Sequence, residues 1–140
     1  MTNGFDLLIY SDGGSRGNPG PSAIGFVVCD GNDKVLTSQG KYIGIHTNNQ
    51  SEYLALIKAL EHALTYSQGR VHCFLDSELV VKQLNGEYEV RDSDLRKLFL
   101  EVRRLEKKFK SVKYSHAPRN TGKLSVADQL VNKTLDSKPK

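Results

Sequence analysis

Apolar and polar residues alternate from Asp6 to Asp12, which puts Leu8, Tyr10 and Asp12 on one side and Leu7, Ile9 and Ser11 on the other. This pattern predicts a first strand, ended by Gly13-Gly14 and followed by the glycine-rich loop GGSRGNPGPS. Ala23–Cys29 reads as a second strand, Asp30-Gly31-Asn32-Asp33 as a turn, and Lys34–Ile43 as a third strand hairpinned to the second. The period then changes. Tyr53, Leu56, Ile57, Leu60, Ala63 and Leu64 recur at helical spacing, predicting a helix over Asn49–Leu64 with Asn48 or Asn49 as its cap. A fourth strand over Arg70–Asp76 and a short helix over Ser77–Leu84, stopped near Asn85-Gly86, follow. Asp94–Lys110 is amphipathic, with Leu95, Leu98, Phe99, Val102 and Leu105 on one face. Ser111–Ala117 reads as a fifth strand, Pro118–Leu124 as a loop, Ser125–Asp136 as a last helix, and Ser137–Lys140 as a disordered tail.

Three strands followed by strands alternating with helices imply a three-layer α/β domain. An antiparallel meander is extended by parallel strands, with helices on both faces. A length of 140 residues suits one domain, residues 1–140, with one core. The net charge of +4 adds little, but its placement adds more. Eight basic residues lie between Arg96 and Lys113 against two acids, Glu101 and Glu106. A basic stretch beside an acidic centre suits an enzyme that grips a polyanion. Cys29 and Cys73 fall in apolar strands and read as buried free thiols without zinc-ligand partners. MTNGFDLLIY lacks the basic start of a signal peptide, and no apolar run is long enough to span a bilayer. The expected location is therefore the cytoplasm, away from membranes.

Four acids stand where an apolar or neutral side chain would pack at lower cost. Asp12 ends the first strand, on the face of Leu8 and Tyr10. Glu52 lies in the first turn of its helix, one turn before Leu56. Asp76 closes the strand VHCFL, and Asp128 shares a helix face with Leu124, Val131 and Leu135. Sites in open α/β sheets form beyond the carboxyl ends of strands, where Asp12 and Asp76 both fall. Each acid alone has an ordinary explanation. Asp76 would serve as a helix cap, and Glu52 would suit a helix dipole. Together they define a possible carboxylate cluster.

Four segments in order carry a resemblance. They are DGGSRGNPGPSAIGFVV from Asp12, TNNQSEYLALIKAL from Thr47, LDSELVVKQLNGEY from Leu75 and HAPRNTGKLSVADQLVN from His116. The chain resembles type 1 ribonuclease H across nearly its whole length. The resemblance implies the ribonuclease H-like fold, a mixed five-stranded sheet with flanking helices. It also implies that Asp12, Glu52, Asp76 and Asp128 bind two Mg²⁺ or Mn²⁺ ions, and that the RNA strand of an RNA–DNA hybrid is cut to 5′-phosphate and 3′-hydroxyl products. On the family pattern Gly13, Gly14, Asn48, Asn49 and Gln50 approach the hybrid, and Asn18 and Thr47 match a DNA-phosphate pocket. His116 is the expected aid to proton or product release, with Arg119 the alternative. A monomer is the family-like state.

Three features depart from the family pattern. Glu78 stands where many members have Gln or Asn. Leu124 stands where Asn often precedes the last acid, and the loop from His116 to Asp128 is about two residues longer. The eight residues Asn85–Asp92 leave no room for a basic protrusion, so the helix from Arg96 to Lys110 is either a substitute phosphate-facing surface or an ordinary solvated face. Two other functions use the same fold: a module that binds hybrids or double-stranded RNA without cutting, and a nuclease for DNA branches or ends. The intact acids argue against the first, and the asparagine pair before Glu52 against the second.

Overall fold

A computed structural model describes residues 4–137. Its elements run β1 (Leu7–Ser15), β2 (Gly20–Asp30), β3 (Val35–His46), α1 (Asn48–Ala63), β4 (Arg70–Leu75), α2 (Glu78–Leu84), α3 (Ser93–Glu106), β5 (Ser111–His116) and α4 (Gly122–Asp136). The sheet order is β3-β2-β1-β4-β5. Pairing is antiparallel through β3, β2 and β1, and parallel from β1 through β4 to β5. The expected mixed five-stranded sheet with flanking helices is the observed one.

β1 is central because both its faces are apolar. Leu7 and Ile9 join the larger core, with Tyr53, Leu56 and Leu60 of α1 and Val102 and Leu105 of α3. Leu8 packs on the opposite face with Val27 and Cys29. That second face is covered toward β2 and β3 by α4, whose Val131 and Leu135 pack on Ala23. Cys29 and Cys73 are buried free thiols, as expected. No helix of the described residues is long and apolar enough to cross a membrane.

Several boundaries differ from the sequence reading. Gly13 and Gly14 do not end β1. They pair with Ile24 and Ala23, and the strand runs on to Ser15. What Gly13 supplies is proximity rather than a turn, because a methyl group there would collide with the Ser51 carbonyl of α1. The connecting loop thereby shrinks to residues 16–19. Thr47, not Asn48 or Asn49, caps α1. Its hydroxyl accepts from the Gln50 N–H, and the Gln50 side chain accepts from the Thr47 N–H, a complete capping box. α4 starts at Gly122 rather than Ser125, within the expected loop. Of the expected disordered tail, Ser137 follows α4 as its C-cap, and the other three residues lie outside the described ones.

Gly25 sets how closely α4 sits on the sheet. A methyl group at this position would meet the Ala127 carbonyl oxygen and the Leu130 Cβ. Gly25→Ala is therefore expected to lift α4 off β2 and lower unfolding stability by roughly 2–3 kcal/mol. Urea denaturation measures this; a loss below about 0.5 kcal/mol would mean that α4 is not seated on that glycine.

Candidate active site

The last β1–β4 pair is Tyr10 with Phe74. Two residues further along the chain from each stand Asp12, still in β1, and Asp76, just past the end of β4, so the parallel pairing carries the two acids to the same end of the sheet. Asp76 is free to face inward because Ser77 caps α2, its side chain accepting from the Val80 N–H. The ordinary explanation of Asp76 as a helix cap is thus removed. Glu52 arrives from α1, and the Gly13 N–H donates to its Oε1. Close packing at Gly13 makes this bond possible. Asp12, Glu52 and Asp76 each offer an oxygen within 4.8 Å of the others. Asp128 comes from α4 and is the most exposed of the four, 28% against 2% for Asp12 and 14% for Asp76.

Between the acids lies Arg119. Its Nε is 2.7 Å from Asp76 Oδ2 and 3.5 Å from Asp128 Oδ1, and its Nη2 is 3.5 Å from Asp12 Oδ1. His116, expected to aid proton or product release, stands at the rim with its Nε2 3.0 Å from the Asp76 carbonyl oxygen. It does not line the cleft, whereas Arg119 does. The available signal was that Arg119 is the one cation between the end of β5 and the start of α4.

The acids line a cleft of about 400 Å³ with Gly13, Gly14, Arg16, Asn48, Asn49 and Asn132. A second cavity, about 390 Å³, is lined by Asn18, Thr47, Asn49, Gln50, Asp92, Asp94 and Leu95. Asn49 borders both. Asn48 is fixed between them: its side chain accepts from the Ser15 N–H, and its N–H donates to Asn18 Oδ1. Thr47 and Gln50 are occupied with each other in the capping box, so their side chains set the start of α1. Glu78 is paired with Lys82 at 3.0 Å, which moderates its negative charge. On α3, Arg103 and Arg104 bond Glu106 and Glu101, while Arg96 and Lys97, and Lys107 and Lys108 just past its end, are exposed.

Burial dominates the site's electrostatics. It raises Asp12 to about 7; Arg119 opposes the rise, and Asp76 and Asp128 add to it. Burial likewise holds the Glu52 carboxyl well above its ordinary range, reinforced by Asp12 and Asp76. Asp12 Oδ1 and Asp76 Oδ1 are buried without a hydrogen-bond partner among the described residues. Buried oxygens left without hydrogen bonds in a converging carboxylate set fit a hard cation, which takes oxygen ligands and repays their desolvation. Asp12, Glu52 and Asp76, with Asp128 beside them, are the residues placed to hold one.

Residues 10–134 match the family described as reverse transcriptase-like. The chain is similar to ribonuclease HI of Halobacterium salinarum, 43% identical over 91% of this chain and 63% of that protein. It spans less than two thirds of the length of the first curated relatives it matches. Among solved structures, the crystal structure of Halobacterium salinarum RNase H1 superposes with a TM-score of 0.89 at 41% identity, covering 94% of this chain and 98% of that one. LC11-RNase H1 in complex with an RNA/DNA hybrid gives 0.87 at 38% identity, covering 93% and 96%.

The raised pKa of Asp12 fixes a pH dependence. A carboxyl that ionises near 3.8 when unfolded and near 7 when folded favours the folded state at low pH. That contribution is fully present below about pH 4 and is lost as pH rises through about 7. In chelator at pH 8, Asp12→Asn is expected to melt about 3–8 °C above the parent, roughly 1–2 kcal/mol. The gap should close toward pH 4. Calorimetric scans across this range decide it, and identical melting at pH 8 would rule out the repulsive cluster.

Proposed function

The chain belongs to the ribonuclease HI family, and on that footing we propose that it is a metal-dependent endonuclease hydrolysing the RNA strand of RNA–DNA hybrids to 5′-phosphate and 3′-hydroxyl products. The observation that carries this reading is the convergence of Asp12, Glu52 and Asp76 within 4.8 Å, with a buried oxygen on two of them that has no hydrogen-bond partner among the described residues. Purely carboxylate ligands favour Mg²⁺ or Mn²⁺, and four of them suit two ions. Such ions, when bound, supply an activated water and a stabilised leaving 3′-oxygen.

The protein's own residues do the rest. The Gly13 N–H orients Glu52, and register between β1 and β4 sets Asp12 against Asp76. Asp128, seated through α4, closes the set from the other layer of helices. Gly13 and Gly14 line the cleft with backbone, and their lack of side chains lets α1 and α4 close on the strand that carries Asp12. Asn48 and Asn49 line the same cleft and present amide groups suited to ribose hydroxyls in a minor groove. Asn49 then leads into the second cavity, where Asn18 and Thr47 would meet a phosphate of the DNA strand. Asp94 also lines that cavity, so contact there is through amide, hydroxyl and backbone groups rather than by net positive charge.

Purified protein with Mg²⁺ or Mn²⁺ is expected to cut the RNA of a labelled hybrid and to leave duplex DNA intact. Asp12→Asn and Asp76→Asn should each reduce cleavage by about a thousandfold or more while folding normally by circular dichroism. Well-folded protein that cuts no hybrid with either ion defeats the proposal.

A further inference from the structure

Arg119 places one positive charge at the point where the acids converge. Its three carboxylate contacts come from β1, the residue after β4 and α4, so it bridges the sheet and the helix packed on one of its faces. The segment that carries it is lightly held. Pro118, Arg119, Asn120 and Thr121 are all exposed. Thr121 bonds within the segment, its hydroxyl and N–H both donating to the Pro118 carbonyl, and it gives α4 no side-chain cap. The guanidinium is thus fixed by the acids rather than by its own loop.

It also fills the position only in part. Asp12 Oδ1 and Asp76 Oδ1 have no hydrogen-bond partner among the described residues, although Arg119 approaches both carboxylates. A single guanidinium cannot neutralise the whole cluster, and it stands 3.5 Å from Asp12 Oδ1, one of the two oxygens left for a divalent ion, and 2.7 Å from the other oxygen of Asp76. Two cations at that separation repel strongly in a site of low polarity, so the two occupancies exclude each other.

We propose that Arg119 is a tethered counter-ion that occupies the carboxylate centre until a divalent cation displaces it, so that metal binding is coupled to an outward movement of the segment from Pro118 to Thr121. This rests on the reading of the acids as a metal centre. Arg119 is a positioning residue here. It keeps the empty acids gathered and lowers the apparent metal affinity by the fraction of time it occupies their oxygens.

Mn²⁺ binding to the full chain, followed by calorimetry and by the electron-spin signal of free Mn²⁺, tests the idea. Arg119→Ala is expected to bind Mn²⁺ about five- to tenfold more tightly than the parent, and Arg119→Lys to remain nearer the parent. Arg104→Ala, which removes the same charge from distant α3, should leave the affinity unchanged. In the parent, the Arg119 Nε–Hε nuclear resonance should be distinct without metal and move when Mg²⁺ is added. Equal Mn²⁺ affinity in the parent and Arg119→Ala, with an unmoved resonance, overturns the counter-ion role and leaves the metal centre standing. Absence of Mn²⁺ binding in both overturns the two together.

Discussion

Carboxylates brought together away from water repel one another, and the rest of this structure can be understood as the means of holding them. No single element could do it. One acid lies in β1 and another directly follows β4, and the parallel pairing of these strands, ending two residues before both, brings them to the same end of the sheet. A third is tied by its Oε1 to the backbone of β1, at a glycine that lets the helix approach. The fourth comes from a helix on the opposite face of the sheet. The two hydrophobic layers on either side of β1 provide the force that opposes the repulsion, because separating the acids would require unpacking one layer or the other.

Much of this was legible in the sequence, and for a definite reason. Period-two and helical patterns report burial, and burial is what set β1, β4, α1 and α3. The acids were visible as charges breaking those patterns. What escaped was decided by short-range competition between similar residues. Thr47, Asn48 and Asn49 can all cap a helix, and only the reciprocal bond with Gln50 selects Thr47. Asp76 and Ser77 compete in the same way, and the serine's success leaves the aspartate free. Gly13 and Gly14 read as a break because glycine usually marks a turn. Their service as points of close contact depends on Ser51 and Val131, which are distant in sequence.

Arg119 marks the limit of such reading most clearly. A basic residue in an exposed loop carries no local signature of an inward-facing role. Its position follows from the three carboxylates that attract it, which belong to three separate elements. His116, by contrast, had the more familiar chemistry for the task, and the geometry leaves it at the rim on a carbonyl oxygen.

The seating of α4 has a further consequence. Asp128 reaches the other acids only because its helix lies across β1, β2 and β3, while its covalent link to the sheet passes through the exposed segment after β5. The chain is therefore divisible at that segment into a larger piece with three acids and a smaller one with the fourth, joined by an apolar seat. Were the chain cut there, the complete carboxylate set would depend on that apolar seat alone.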